Sequence, residues 1–197
     1  MKVILTQLLI VLVLIVPFHA ISQQQNDTLS KKEIRQIEKQ KQKDAESKER
    51  AESRSELLKI LNDSSFVLEA TLVGIGNLGR ETPVSSRTNF FAINGDDIVL
   101  QVAFEGSLGI NGLGGVTNTG TLVSYSVDAE KSNKPIFING KIRPNPGTIL
   151  ISFDISVQDN GAAQFYISTA NGDRIMLSGF IKSMADSRVF EGTPYFR

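Results

Sequence analysis

The chain has 197 residues, with 21 Lys and Arg against 21 Asp and Glu, one His, no Cys and no Trp. These counts exclude disulfides, a Cys nucleophile, and zinc or iron–sulfur sites built on cysteine. The single His is His19, which lies in an apolar N-terminal stretch, so loss of that stretch also excludes a Ser-His-Asp arrangement. Only ions that prefer oxygen ligands remain compatible with the other residues. We therefore predict no catalytic residues, no metal site and no cofactor.

Residues 1–22 have the pattern of a secretory signal peptide. Lys2 precedes an apolar run at 3–18, and the small residues Ala20 and Ser22 stand at the −3 and −1 positions of a cleavage site. The run is shorter than the ~20 residues that a membrane-spanning helix needs. We predict cleavage after Ser22, a periplasmic or secreted location, no transmembrane span in the cleaved chain, and no lipid anchor.

A polar lead at 23–30 is followed by a charged segment at 31–61, which predicts a long α-helix. The segment holds 10 basic and 7 acidic residues and no Gly or Pro, and Ser30 and Glu33 form a capping box. Its apolar residues form no sustained heptad, so only the last two turns, with Leu57 and Leu61, can pack on a core. The segment is either a solvated spacer or a helix that binds a partner or oligomerises. Its net charge of +3 is too small and too mixed for nucleic acid.

Residues 62–182 predict an all-β domain. Apolar and polar residues alternate, most clearly around Phe153 and Ile155, and turn sequences such as Asn94-Gly95 recur between the runs. About eight short strands with hairpin connections indicate a mainly β fold, an antiparallel sandwich or barrel preceded by one long charged helix. Residues 183–197 show no periodicity and are expected to form an irregular tail.

Two glycine-containing segments resemble functional motifs. The sequence at 74–79 matches G-x-G-x-x-G, but Pro83 follows too closely for the helix that a dinucleotide site needs, so we expect an inter-strand loop. The glycine-rich segment at 106–115 lacks the Gly-Lys-Ser/Thr of a phosphate-binding loop. It is either a mobile connection without a ligand or a lid. The candidate ligand-binding residues are those with apolar side chains in and before this loop, namely Phe104, Leu108, Ile110 and Leu113.

The acidic residues give no catalytic pattern. Asp154 is expected on the solvated side of its strand, and Asp96 and Asp97 occupy a turn where Asp is used for local hydrogen bonds. We therefore favour a non-catalytic binding or structural protein of the cell envelope, whose partner is an envelope protein, a glycan or a lipid-like ligand. The alternative is a hydrolase that uses carboxylates or a Ser-Lys pair brought together by the fold.

The β-region resembles an exported family of unknown function found in Bacteroidetes-type bacteria, whose members carry a signal peptide, a charged helix and then a β-domain. The segments that carry the resemblance are 65–70, 91–96, 151–155, 160–163 and 174–181, together with the glycine-rich loop. The chain departs from the family pattern at 101–106, where QVAFEG replaces a Leu-Pro-Tyr-Phe-Gly stretch. The resemblance implies an exported β-domain and brings no known activity.

Overall fold

The computed structural model describes residues 30–76, 80–104, 109–130, 134–168 and 174–194. The chain divides into two compact units, Met1–Gln40 and Lys41–Arg197. The elements of the described residues are one helix and nine strands: α1 (Lys31–Asn62), β1 (Ser65–Ile75), β2 (Glu81–Pro83), β3 (Phe90–Asn94), β4 (Asp97–Ala103), β5 (Gly115–Asp128), β6 (Ile136–Asn145), β7 (Ile151–Val157), β8 (Ala162–Ser168) and β9 (Arg174–Ser183).

The first turn of α1 is closed by the capping box that the sequence predicts. The Ser30 backbone N–H donates to Glu33 Oε2 at 2.7 Å, and the Glu33 N–H donates to Ser30 Oγ at 3.3 Å. These two donors belong to the start of the helix, where backbone N–H groups have no partner within the helix. The hydrogen bonds from Ser30 favour the carboxylate and lower the pKa of Glu33.

The strands form a closed antiparallel barrel, one of the two architectures that the sequence allowed. Each of the eight barrel strands, β1 and β3 to β9, pairs with its neighbours in that order, and β9 pairs back with β1. The short strand β2 adds to β1 beyond the end of β3. The β3–β4 connection is the tight hairpin expected at Asn94-Gly95, and Gly95 takes the positive φ of 64° that this turn requires.

Aromatic rings fill the interior of the barrel. The ring of Phe91 lies 4.3 Å from that of Phe165 and 5.3 Å from that of Phe153, centroid to centroid, and all three side chains are buried. An eight-stranded barrel is either filled by its own side chains or holds one small ligand. In this protein the buried inward-facing side chains pack into one hydrophobic core inside the barrel.

The last turns of α1 close one end of the barrel. Leu57 and Leu61 are buried in the same core as the inward-facing strand residues, and the Tyr125 hydroxyl donates to the Leu61 carbonyl at 2.7 Å. The helix also buries a cation, since only 8% of the surface of Arg54 is exposed. The Arg54 guanidinium donates to Asp159 Oδ1 at 2.5 Å and to the Lys134 carbonyl at 3.0 Å. This docking face combines apolar contact with a buried ion pair.

The buried Tyr125 hydroxyl is expected to make the protein less stable at alkaline pH. Burial raises the pKa of Tyr125 above its ordinary value of 10.0. Because the folded protein holds this proton more tightly than the unfolded chain, its contribution is complete below about pH 10 and is lost progressively as the pH rises above that value. We expect the free energy of unfolding to fall less steeply between pH 9 and pH 11 in Tyr125→Phe than in the wild type, measured by urea denaturation. Equal slopes would contradict this assignment.

The C-terminal segment at 187–194 packs on the outside of the barrel. Val189 contacts a second apolar cluster formed by Val67, Phe90 and Ala92. The Phe190 N–H also donates to the Arg87 carbonyl at 2.7 Å. The first four residues of β3 are consequently buried on both faces, which explains why its sequence is continuously apolar instead of alternating.

Candidate functional site

One amide side chain, that of Asn111, organises the described part of the glycine-rich loop. Its Oδ1 accepts from the Leu113 N–H at 2.9 Å and from the Gly115 N–H at 3.0 Å. Gly112, which lies between Asn111 and Leu113, takes a φ of +75°, which only glycine adopts readily. The Phe104 N–H donates to the Gly114 carbonyl at 3.2 Å and so joins the end of β4 to the loop. Residues 109–115 are thus held in one conformation by hydrogen bonds.

The loop forms one wall of a cleft of about 610 Å³, which we call the Phe104 cleft. Its lining combines Leu113 of the loop and the end of β4 with β2 and the chain that follows it: Thr82, Pro83, Val84, Ser85, Thr88, Ala103, Phe104 and Leu113. Ligand sites have volumes of about 300–1,000 Å³ and a mostly apolar lining with a few polar groups. The volume and the mainly apolar lining of the Phe104 cleft fall within these ranges.

Backbone hydrogen bonds fix the second wall of the cleft. The Val84 N–H donates to the Thr71 carbonyl at 2.9 Å, and the Thr88 N–H donates to the Ser85 carbonyl at 3.2 Å. Asn89, which is fully buried, donates from Nδ2 to the same Ser85 carbonyl at 3.0 Å. The wall that faces Phe104 is therefore preformed.

The structure brings together two of the four predicted binding residues. Phe104 and Leu113 line the cleft, whereas Ile110 is 63% exposed and lies outside its lining. Leu108 lies outside the described residues. Phe104 also packs against the barrel core, so its side chain connects the cleft to the interior of the fold.

A buried polar network lies beside the cleft and ties the C-terminal segment to it. Gln101 is fully buried, and its Oε1 accepts from Thr117 Oγ1 and from the Gly192 N–H, both at 2.7 Å. Its Nε2 donates to the carbonyls of Thr88 and Phe190, both at 2.9 Å. Gly192 packs so closely that an added Cβ would lie 2.9 Å from Leu113 Cδ1. Gly192, which is hydrogen-bonded to Gln101, therefore packs directly against the Leu113 side chain.

The residues that the sequence did not point to are those of the second wall and the buried network. Pro83 was the sequence feature that could have indicated this wall. Proline occurs at strand edges and turns, where no backbone N–H donor is needed. Gln101 interrupts the apolar run of β4 at an outward position, a pattern normally read as a solvated residue. Its burial depends on the C-terminal segment, which is distant in sequence.

A lysine and two serines are cross-strand neighbours on the outer surface of the barrel. Lys141 on β6 is the cross-strand partner of Ser124 on β5 and of Ser152 on β7. All three residues are exposed. A Ser-Lys pair works in a desolvated pocket, whereas these three side chains lie on an open sheet face.

The described residues of the G-x-G-x-x-G match are part of the sheet and its connection. Gly74 and Ile75 belong to β1, Gly76 ends that strand with a positive φ of 82°, and the chain resumes in strand β2 where a dinucleotide site would have a helix. In the described part of the chain, no group of three or more His, Cys, Asp or Glu side chains is placed to hold a metal ion. Among the same residues, no helix has both the length and the apolar composition needed to cross a membrane.

Comparison with known proteins identifies relatives of unknown function. The profile of DUF4251, described as a domain of unknown function, matches residues 48–181. The crystal structure of a DUF4251 family protein from Bacteroides eggerthii DSM 20697 is similar, with a TM-score of 0.56 and 28% sequence identity over 70% of this chain and 92% of that chain. No curated protein matches the chain. The resemblance to an unknown-function family of Bacteroidetes-type bacteria is thereby confirmed.

Proposed function

The chain belongs to the DUF4251 family, and we propose that it is an exported, non-catalytic binding protein of the cell envelope that takes an uncharged, lipid-like ligand in the Phe104 cleft. The observation that carries the proposal is the convergence of Phe104 and Leu113 with Pro83 and Val84 around one preformed cleft. A ligand that removes these apolar side chains from water gains roughly 25 cal/mol of binding free energy per Å² of apolar surface buried.

The polar groups of the cleft favour a neutral ligand. The described lining contains three hydroxyl groups, those of Thr82, Ser85 and Thr88, and no charged or amide side chain. A charged ligand would lose its hydration without gaining an ion pair, which is unfavourable. Hydroxyls can still orient one polar end of a mainly apolar molecule. A lipid-like ligand fits this lining better than a glycan or an acidic peptide.

The N-terminal sequence supports export. The apolar run at 3–18 and the small residues before position 23 have the order of a signal peptide. The test is the N-terminus of the protein recovered from the periplasm or medium of a bacterial host that expresses the full chain. We expect Gln23 to be the first residue. Recovery of the uncleaved chain from the cytoplasm would contradict export.

The binding test uses the fluorescent apolar probe N-phenyl-1-naphthylamine, titrated into the purified protein. We expect saturable binding, weakened at least tenfold in both Phe104→Ser and Leu113→Ser. The matched control is Phe137→Ser, because Phe137 is an exposed phenylalanine, 44% accessible, on β6 and outside the cleft. This control is expected to bind within twofold of the wild type.

Two further measurements make the binding result decisive. Circular dichroism of each variant establishes that the barrel is folded, since Phe104 also packs on the core. A fatty acid and a neutral diacylglycerol, each competing with the probe, then distinguish a charged from an uncharged ligand. The assignment would be overturned if Phe104→Ser and Leu113→Ser bound the probe as tightly as the Phe137→Ser control. It would also be overturned if only the fatty acid displaced the probe.

A further inference from the structure

A second concave surface lies on the outside of the barrel, on strands that take no part in the Phe104 cleft. A groove of about 340 Å³ crosses β7, β8 and β9. Its centre is a row of polar residues on adjacent strands, because Ser156 pairs with Gln164 and Gln164 pairs with Ser178. Since side chains alternate between the two faces of a strand, these three project outward together.

One end of the groove combines an aromatic ring with a small residue. Phe180 is the cross-strand partner of Ala162, and both line the groove. The ring is 46% exposed, whereas the methyl group of Ala162 leaves the space beside it open. A large aromatic surface next to an open floor can receive the flat face of another molecule.

The polar row keeps hydrogen-bonding capacity for a ligand. Gln164 Oε1 accepts from the Tyr166 hydroxyl at 3.3 Å, while Gln164 Nε2 donates to no protein group in the described part of the chain. Ser178 Oγ donates to Glu81 Oε1 at 2.8 Å and retains its lone pairs as acceptors. The groove thus offers donors and acceptors side by side.

We propose that this groove binds a neutral glycan, stacked on Phe180 and hydrogen-bonded to Gln164 and the two serines. A sugar presents an apolar C–H face and a rim of hydroxyl groups that both donate and accept, which matches an aromatic ring beside an amide and hydroxyls. A purely apolar ligand would strip water from these polar groups without replacing their hydrogen bonds. The described lining carries no charged side chain, so an uncharged sugar is favoured over an acidic one.

The experiment measures binding of neutral hexasaccharides of glucose, mannose, xylose and N-acetylglucosamine by isothermal titration calorimetry, with heparin as the charged comparison. We expect at least one neutral oligosaccharide to bind, with affinity reduced at least tenfold in Phe180→Ala and about fivefold in Gln164→Ala. Phe137→Ala is the matched control, because Phe137 is similarly exposed but lies outside the groove. It is expected to bind within twofold of the wild type.

The outcomes separate this site from the Phe104 cleft. Phe104→Ser should retain glycan binding, and Phe180→Ala should retain binding of the apolar probe. Failure of all four neutral oligosaccharides to bind, preferential binding of heparin, or undiminished binding by Phe180→Ala would each overturn the proposal. Because Phe180 is exposed, its alanine variant should melt within a few degrees of the wild type, which confirms that a loss of binding is local.

Discussion

Replacement of Arg54 by alanine is expected to lower the free energy of unfolding by about 3 kcal/mol, a loss typical of removing one partner from a buried ion pair. The Arg54 side chain is 10% exposed and that of Asp159 is 20% exposed. Removing the guanidinium leaves the Asp159 carboxylate without its ion-pair partner, and it removes a donor from the carbonyls of Lys134 and Ala129. Urea denaturation of the full chain measures the change.

The neighbouring residue Arg50 provides the matched control, since it occupies the same helix but is exposed. Arg50→Ala should change stability by no more than about 0.5 kcal/mol, the usual range for surface substitutions. Arg54→Met separates the loss of charge from the loss of packing, because methionine preserves most of the buried stem. The double variant Arg54→Met/Asp159→Asn should be less destabilised than Arg54→Met alone, since it leaves no unpaired carboxylate. If Arg54→Ala and Arg50→Ala have the same small effect, the helix is not docked through this ion pair.

Replacement of Gln101 by leucine is expected to cost about 3 kcal/mol, because unsatisfied buried polar groups cost about 1–3 kcal/mol each. The shape of the side chain is nearly kept, but Thr117 Oγ1 and the Gly192 N–H lose their acceptor. The segment at 187–194 should then detach more easily from the barrel. We therefore expect faster hydrogen exchange at the Gly192 amide together with the lower unfolding free energy.

Gln158→Leu is the control for that experiment, since Gln158 is exposed in the β7–β8 connection. Its effect should stay within about 0.5 kcal/mol. The Gly192 amide should keep its wild-type exchange rate in this control. Unchanged protection of Gly192 in Gln101→Leu would show that the segment is held by its apolar contacts alone.

Much of the fold was predictable because its signals are local. The capping box at Ser30 and Glu33, the hairpin at Gly95, and the alternation around Phe153 each involve residues a few positions apart, and each is present as expected. The choice between a sandwich and a barrel was not predictable. It depends on the pairing of β1 with β9, and alternation specifies which face of a strand is buried without specifying its neighbour.

Two of the residues that line the Phe104 cleft could be picked out from local sequence signals. Phe104 and Leu113 stand out as apolar residues at the borders of a glycine-rich loop, and the cleft contains both. The burial of Gln101 requires a segment about ninety residues further along the chain, so its polarity suggested a solvated position. Arg54 lies in a run of charges, and the only sign of its burial is its helical spacing of three and seven residues from Leu57 and Leu61.

The pairing of β1 with β9 also dictates when the protein can fold. Residues such as Leu68 and Ile181, 113 positions apart, are cross-strand partners. Until the ribosome has released the last strand, β1 lacks the neighbour that closes the barrel, and its unpaired edge can template association with other chains. Topologies dominated by such distant pairings fold slowly, in milliseconds to seconds. Closure of the barrel therefore has to wait until β9 has been synthesised.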